Sequence, residues 1–289
     1  MTDRARPASA DRFLEVDNVR LRYRDAGAGD AIVLIHGNGG MIEDFTVGGL
    51  WDLAAATGRT IAFDRPGSGH STRPRGRRWT PAAQAGLLLA ALRRLEVRNP
   101  VVVGHSWGAL VAVEMGLRAP ETIRGLVLAC GYLFPTRRFD VAFGAAMATP
   151  RIGSVMRRTV LPVVLRLSRK GFVRRLFAPD PVPARFAHFP IEVVLGRSQL
   201  RAMAEDTAYL NPACAALQPR YADVRVPVAI VAGADDRIVD TRTHSARLAR
   251  QLPHAALRIV PGGHMVHYSA PDAIVEACRR IRQTTLSRS

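Results

Sequence analysis

The stretch that most constrains the fold is residues 101–110, Val-Val-Val-Gly-His-Ser-Trp-Gly-Ala-Leu. Its three valines are typical of a short buried strand, and a helical pattern follows over residues 109–117. Between the two lies Gly-x-Ser-x-Gly, centred on Ser106, a pattern that is weak alone but stronger between a strand and a helix. The two glycines allow a strained turn and a close approach of strand and helix. Ser106 is therefore the candidate nucleophile.

Apolar runs elsewhere in the chain predict further strands that alternate with helices. Strands are expected at residues 13–16, 19–23, 31–35, 60–63, 123–129, 226–232 and 256–260, and helices at 50–56, 80–95, 241–252 and 265–282. Wholly apolar strands alternating with helices favour an α/β fold with a mostly parallel, doubly wound sheet. The first two strands flank the turn pair Asp17-Asn18 and read as an antiparallel hairpin.

The alternation breaks between residues 135 and 220, where the pattern is helical and rich in proline. We interpret this segment as an insertion between two strands of the sheet. The predicted organisation is a core domain formed by residues 1–134 and 221–289, with a helical cap at 135–220. Residues 1–10 are expected to be a disordered leader.

A serine nucleophile needs a base, because a free hydroxyl is hardly ionised near neutrality. Among eight histidines, His264 follows the last predicted strand in the sequence Pro-Gly-Gly-His. A flexible Gly-Gly loop can place its imidazole over the carboxyl edge of the sheet. His267 is the alternative, but it falls within a predicted helix, so His264 is preferred.

The base needs a carboxylate that orients it and stabilises the imidazolium ion. Acids follow the strand at 226–232, at Asp235, Asp236 and Asp240, whereas the strand at 123–129 is followed by none. Taking Asp236 gives the chain order serine, aspartate, histidine that is expected of this kind of sheet. Asp235 stays a close alternative.

Negative charge on a tetrahedral intermediate needs backbone N–H donors. The amide of Trp107 follows the nucleophile, and the loop at residues 36–40, His-Gly-Asn-Gly-Gly, follows a strand end and can present the amide of Asn38. Such a loop could instead hold a phosphate, but it has neither the P-loop ending nor the spacing of a dinucleotide fingerprint.

Together these motifs resemble the α/β-hydrolase superfamily, serine-nucleophile type with a helical cap, over about residues 13–134 and 221–284. The matching pieces lie at 36–40, at 64–71 (Asp-Arg-Pro-Gly-Ser-Gly-His-Ser), at 104–108, at 233–239 (Gly-Ala-Asp-Asp-Arg-Ile-Val) and at 262–265. The resemblance implies Asp236 as the triad acid and Asn38 as an oxyanion donor. Serine at 106 argues against the dehalogenase and epoxide hydrolase branches, which carry aspartate there.

Composition limits the partners. Cys130, Cys214 and Cys278 match neither a disulfide framework nor a zinc spacing, so we expect buried thiols and no metal. The net charge is +17, yet no nucleic-acid recognition pattern accompanies it, and no nucleic-acid partner is expected. The absence of an apolar leader and of a long apolar span favours a cytoplasmic protein.

We expect a hydrolase of carboxylic esters that forms an acyl-enzyme without a cofactor. The same residues could serve thioesters, amides, carbon–carbon bonds or perhydrolysis, or the chain could be a ligand-binding protein on a hydrolase scaffold. An apolar acyl or alcohol part is expected because the cap is rich in large apolar residues: Phe139, Phe143, Met147, Phe172, Phe177, Phe186 and Phe189. The oligomeric state stays open.

The cap also carries much of the positive charge. Residues 151–175 contain eight basic residues and no acid, interleaved with apolar residues at helical spacing. This pattern is typical of a helix at a membrane surface, but also of a helix that covers an active site. We favour the second interpretation, and we expect at most weak, salt-sensitive contact with anionic membranes.

Overall fold

The computed structural model describes residues 10–137, 153, 155–156 and 159–286. Eight strands form one sheet: β1 Arg12–Val16, β2 Val19–Ala26, β3 Ala31–Ile35, β4 Arg59–Phe63, β5 Val101–His105, β6 Gly125–Ala129, β7 Val228–Gly233 and β8 Ala256–Val260. Their order across the sheet is β1-β2-β4-β3-β5-β6-β7-β8. The two pairings of β2 are antiparallel and all the others are parallel, which confirms the predicted α/β class.

Helices cover both faces of this sheet. They are α1 Ile42–Gly48, α2 Leu50–Thr57, α3 Pro81–Arg94, α4 Gly108–Arg118, α5 Val160–Phe177, α6 Ile191–Val194, α7 Arg197–Leu217, α8 Ser245–Gln251, α9 Val266–Ser269 and α10 Pro271–Leu286. Successive residues of each central strand point to opposite faces: Val33 and Ile35 belong to one apolar cluster, Ile32 and Leu34 to the other. Fully buried strands therefore need apolar residues at every position, which is the pattern that predicted them.

Local chemistry explains the helix boundaries that the sequence predicted correctly. Thr80 caps α3, its hydroxyl accepting a hydrogen bond from the amide of Ala83, and Pro81 occupies the first turn, where no N–H partner is needed. The Gly-x-Ser-x-Gly turn at residues 104–108, here called the elbow, leads directly from β5 into α4, as expected.

Three helices differ from the sequence prediction. Helix α8 begins at Ser245 and not at position 241, because the Asp240 carboxylate accepts the amide of Thr243 and holds a turn there. The last predicted helix is two helices, α9 and α10, which are broken before Pro271, a residue that cannot continue a helical hydrogen-bond ladder. Helix α1 follows the glycine-rich loop at residues 36–40 and was not predicted.

Between β6 and β7 the described chain is helical. It comprises α5, α6 and α7 with two short 3₁₀ helices, Ala184–His188 and Gln218–Asp223. Helix α7 is packed onto the core, whereas Val163, Val164 and Leu167 of α5 are exposed. No helix within the described ranges is long and apolar enough to cross a membrane. The domain boundaries at 134 and 220 stay predictions.

Candidate active site

The turn between β5 and α4 places Ser106 in a strained backbone conformation. Its φ is 53°, in the left-handed region, and its amide donates to the carbonyl of Ala129 at the end of β6 (2.9 Å). The flanking Gly104 and Gly108 are required because a side chain at either position would collide with neighbouring backbone. A Cβ on Gly104 would lie 2.5 Å from the carbonyl oxygen of Gly108, and one on Gly108 would lie 2.4 Å from that of Ile35. The turn can therefore form only with these glycines.

Ser106 lines a cavity of about 410 Å³ between the carboxyl edge of the sheet and the helices that lie between β6 and β7, for which the name cap is used below. The wall is mainly apolar and includes Phe172, Phe186, Phe189, Leu200, Leu210 and Ile238. Polar groups are few in it; besides Ser106 and His264 they include Asn38, Asp44, Tyr132, Ser168, Arg175 and Thr207. An apolar space with a few polar groups is typical of a small-molecule site.

His264 borders the cavity and its Nδ1 lies 2.7 Å from Oδ2 of Asp236. The other carboxylate oxygen of Asp236 accepts the amides of Ile238 and Val239, both at 2.8 Å. Burial alone would raise the pKa of Asp236, but His264 and the two amides outweigh it and hold this pKa below its ordinary value. Asp235 is exposed. The structure thus brings Asp236, and not Asp235, to the histidine.

Two further buried histidines, His105 and His267, lie near His264, and His105 also borders the cavity. Nε2 of His105 is 3.0 Å from the carbonyl oxygen of His264, and burial lowers the pKa of His105 to about 3, so its neutral ring donates this bond. The ring of His267 packs 4.3 Å from that of His105, is fully buried, and neither of its nitrogens has a hydrogen-bond partner. His264 borders the cavity, whereas His267 belongs to the packing beneath it.

The glycine-rich loop passes directly beside the elbow. A Cβ on Gly37 would lie 3.1 Å from the Cβ of Ser106, and Asn38, the next residue, lines the cavity with Trp107. The structure therefore gathers all five sequence-predicted residues around one space: Ser106, His264, Asn38 and Trp107 in its wall, and Asp236 directly behind the histidine.

A buried charged cluster joins this loop to the cap. Arg65 and Arg73 are fully buried and contact the carboxylate of Asp206 in α7, at 2.6 Å and 3.0 Å. Gln84 contributes an acceptor to Arg65 and a donor to Asp206. Sequence analysis missed this cluster, although Arg65 lies in the motif at 64–71, because nothing local marks Asp206 as its partner.

Asp44 is a second group that sequence analysis missed. It is buried at the start of α1, borders the cavity, and accepts the amide of Met41. Burial raises its pKa to about 7, so its carboxyl group is largely protonated in mildly acidic solution.

Cys130 completes a group of three possible metal ligands with Asp236 and His264, whose ligand atoms lie within 4.8 Å of one another. The chemistry of the donors does not suit a metal. Burial raises the pKa of the Cys130 thiol well above its ordinary value, so it is no thiolate, and Asp236 already accepts the histidine N–H.

The large apolar cap residues divide in the structure. Phe172, Phe186 and Phe189 line the cavity, whereas Phe177 is buried against Phe186 and Tyr268. Three more predicted residues lie outside the described ranges: Phe139, Phe143 and Met147.

Comparison with known proteins agrees with the fold. The model of the alpha/beta hydrolase family matches residues 32–277, and the chain belongs to this family. The uncharacterized protein Rv2715 of Mycobacterium tuberculosis is 29% identical to it over 95% of this chain and 81% of that protein.

Two solved structures share the fold. The enol-lactonase of Burkholderia xenovorans LB400 superposes with a TM-score of 0.75 at 19% identity, over 94% of this chain and 100% of that one. A thermophilic esterase of Thermogutta terrifontis superposes with a TM-score of 0.72 at 20% identity, over 96% and 99%.

Proposed function

We propose that the protein is a serine hydrolase that cleaves carboxylic esters with an apolar acyl or alcohol part through an acyl-enzyme. The observation that carries this proposal is the placement of Ser106. Ser106 lies on a strained turn in the wall of an apolar cavity. His264 borders the same cavity, and its Nδ1 is hydrogen-bonded to the buried Asp236. This is the arrangement in which a hydroxyl acts as a nucleophile.

In the proposed mechanism, Ser106 attacks the ester carbonyl while Nε2 of His264 removes the hydroxyl proton. Asp236 holds Nδ1–H of the ring and stabilises the imidazolium ion. The amides of Asn38 and Trp107 receive the oxyanion. His264 then gives the proton to the leaving alcohol, and water, activated by the same ring, releases the acid. No metal or organic cofactor takes part in these steps.

The decisive variant is Ser106→Ala. It should abolish turnover of p-nitrophenyl esters and labelling by a fluorophosphonate probe, without loss of the folded state, because the Ser106 hydroxyl is placed for chemistry and not for packing. Labelling that persists in Ser106→Ala would assign the nucleophile elsewhere. A wild-type protein that neither turns over a panel of esters nor takes the label would favour a ligand-binding protein on the same scaffold.

The acid is tested by a matched pair of substitutions. Asp236→Asn should lower kcat by about 10⁴-fold, because an amide favours the wrong tautomer of His264. Asp235→Asn changes the adjacent, exposed carboxylate and should leave kcat within about twofold of wild type, a negligible difference on this free-energy scale. Equal small effects would move the triad acid to another residue, with Asp240 the next candidate.

A further inference from the structure

The side chains of both proposed oxyanion residues reach out of the core into the cap. The amide group of Asn38 donates to the hydroxyl of Thr207 (2.8 Å) and to the carbonyl of Met203 (3.3 Å). The indole N–H of Trp107 donates to the carbonyl of Asp206 (3.0 Å). The acceptors belong to Met203, Asp206 and Thr207, three residues of α7 that are here called the cap turn. Two separate loops of the core are thus held by the same piece of the cap.

The backbone of the glycine-rich loop is held as well. The carbonyl oxygen of Gly37 accepts from Nη2 of Arg65 at 2.8 Å, and lies 2.8 Å from Nδ1 of His36. Nε2 of that histidine accepts the Arg65 amide, so its proton is on Nδ1 and is donated to Gly37. A peptide unit is planar and trans. Fixing the Gly37 carbonyl therefore fixes the direction in which the amide N–H of Asn38 points.

The cap turn also supplies the charge that keeps Arg65 in place. Burial lowers the pKa of Arg65, and the carboxylate of Asp206 counters part of this effect. The guanidinium group of Arg65 lies over the ring of Trp107, 4.3 Å from its centroid. An arginine stays charged in a protein, so a buried one depends on its acidic partner. Loss of the Asp206 charge would therefore disturb Arg65, and with it the loop and the elbow tryptophan.

We infer that the cap turn and Arg65 position the oxyanion hole, so that the cap is part of the catalytic apparatus as well as a cover over the cavity. Asp206 and Arg65 are positioning residues that act through the Gly37–Asn38 peptide unit and through Trp107. This inference rests on the function proposed above. A cap that merely anchored itself through Asp206 would lose stability on substitution without a specific loss of oxyanion binding.

The test is Asp206→Asn, which keeps the size of the side chain and one acceptor but removes its charge. We expect kcat for p-nitrophenyl esters to fall about 10- to 100-fold, somewhat less than the loss of a whole oxyanion donor. KM should change by less than about threefold, since the apolar wall is intact. Inactivation by a fluorophosphonate should slow in parallel, because its phosphoryl oxygen enters the same hole. The pH profile should keep its acid limb, since His264 and Asp236 are untouched.

Glu205→Gln is the matched control. Glu205 precedes Asp206 in the same helix and binds Nε of Arg73 at 2.7 Å, but it is part of neither the glycine-rich loop nor the elbow. Arg73 keeps its contact with Asp206 in this variant, so kcat and the labelling rate should stay within about twofold of wild type. An equal loss of kcat in Asp206→Asn and Glu205→Gln would show a general effect of cap charge and would overturn the inference.

A second pair of variants avoids buried charge and serves if Asp206→Asn does not fold. Thr207→Val removes the hydroxyl that accepts from Asn38, and Thr207→Ser retains one. We expect the first to lower kcat and the second to restore most of it. Unchanged kcat in both Asp206→Asn and Thr207→Val, or in Thr207→Val alone where Asp206→Asn is unfolded, would overturn the inference.

Backbone amide NMR signals give a readout that needs no turnover. The signals of Asn38 and Trp107 should shift in Asp206→Asn and stay in place in Glu205→Gln. A wild-type protein that takes no fluorophosphonate and hydrolyses no ester would end the proposed function, and the amide shifts would then decide the positioning role alone. Signals that do not move in Asp206→Asn would overturn it.

Discussion

Two helices of the cap, α5 and α7, border the same cavity but contact the rest of the molecule in opposite ways. Helix α7 buries Asp206 in a cluster of arginines and binds both loops of the proposed oxyanion hole. Helix α5 leaves Leu167 82% exposed, and the ion pairs that the structure shows for it join Arg166 and Arg169 to the exposed Glu192 of the cap itself. One helix is built into the site, while the other forms its outer wall.

This difference separates two tasks. Groups that must hold a backbone amide in one direction need buried, charge-assisted hydrogen bonds, which lose most when one partner is removed. A wall that accepts an apolar substrate needs only apolar surface and tolerates small changes of shape. Substitutions in α7 should therefore change chemistry and stability, whereas substitutions in α5 should change substrate preference.

The largest effect should appear in stability. Asp206→Ala removes the carboxylate partner of the buried Arg65 and one of the two partners of Arg73, and it should lower the free energy of unfolding by about 3–5 kcal/mol. Glu192→Gln removes the exposed partner of α5 and should cost less than about 1 kcal/mol. Urea denaturation of both variants checks this. Similar losses in the two variants would show that the two helices are bound alike.

Acid should lower the free energy of unfolding, because three buried histidines resist protonation in the folded protein. Burial lowers the pKa of His105 to about 3 and holds those of His36 and His267 well below the ordinary 6.5. Below pH 6.5 the unfolded chain takes up protons that the folded one does not, so stability should fall as the pH drops from about 6.5 towards 3. Each histidine contributes up to ~1.4 kcal/mol per pH unit.

Asp44 provides the control for this pH dependence, because its contribution to stability changes with pH in the opposite direction to that of the histidines. Its pKa is raised to about 7, so the folded protein holds a proton that the unfolded chain has lost, and stability from this group falls as the pH rises from about 4 to 7. Asp44→Asn should therefore make the acid loss steeper. Urea midpoints that stay constant between pH 6.5 and 5 in both proteins would contradict the role of the buried histidines.

A smaller effect concerns substrate length. Phe172 of α5 lines the cavity and is itself 53% exposed. With p-nitrophenyl esters, kcat/KM should rise from acetate upward, by at most about fourfold for each methylene that finds apolar surface, since a buried methylene is worth about 0.8 kcal/mol. Phe172→Ala should shift the optimum to longer acyl chains. A steady fall in kcat/KM with every added methylene would contradict an apolar pocket.

The smallest effect is at membranes. Val163 and Leu167 are exposed and are not among the residues that line the cavity, although their neighbour Val164 is, and Lys170 and Arg174 are exposed on the same helix. Weak co-sedimentation with vesicles of anionic phospholipid is expected, and it should vanish in high salt because exposed charges are screened. Lys170→Gln combined with Arg174→Gln should weaken it. Binding that survives high salt would make α5 a lipid-facing lid.

Much of the fold was predictable because short stretches of sequence determine its strands and turns. Apolar runs such as residues 31–35 and 101–103 become buried strands, and the Gly-x-Ser-x-Gly turn marks its own position. His264 and an acid at position 235 or 236 were predictable for the same reason, since each follows a predicted strand end. The choice of Asp236 over Asp235 came from the family resemblance. Helix α1 was missed because it has only seven residues and because its N-cap is Met41, which is not a typical capping residue.

The cluster around Asp206 could not be predicted in this way. Arg65 and Asp206 are 141 positions apart in the chain, and their contact depends on how the cap docks on the core. On the sequence alone, Asp206 is one acid on a long helix beside another acid, Glu205. Nothing in the local pattern tells which of the two becomes buried.

The buried cluster of Arg65, Arg73 and Asp206 also makes the folding and the evolution of the cap depend on those of the core. Arg65 and Arg73 precede the cap in the chain, while the carboxylate they require comes from within it. During synthesis both guanidinium groups emerge well before their acid and must stay hydrated until α7 is made. For the same reason, a cap exchanged with that of a relative must bring an acid at the place of Asp206. Cap and glycine-rich loop are thus expected to be inherited as one unit, despite their distance in sequence.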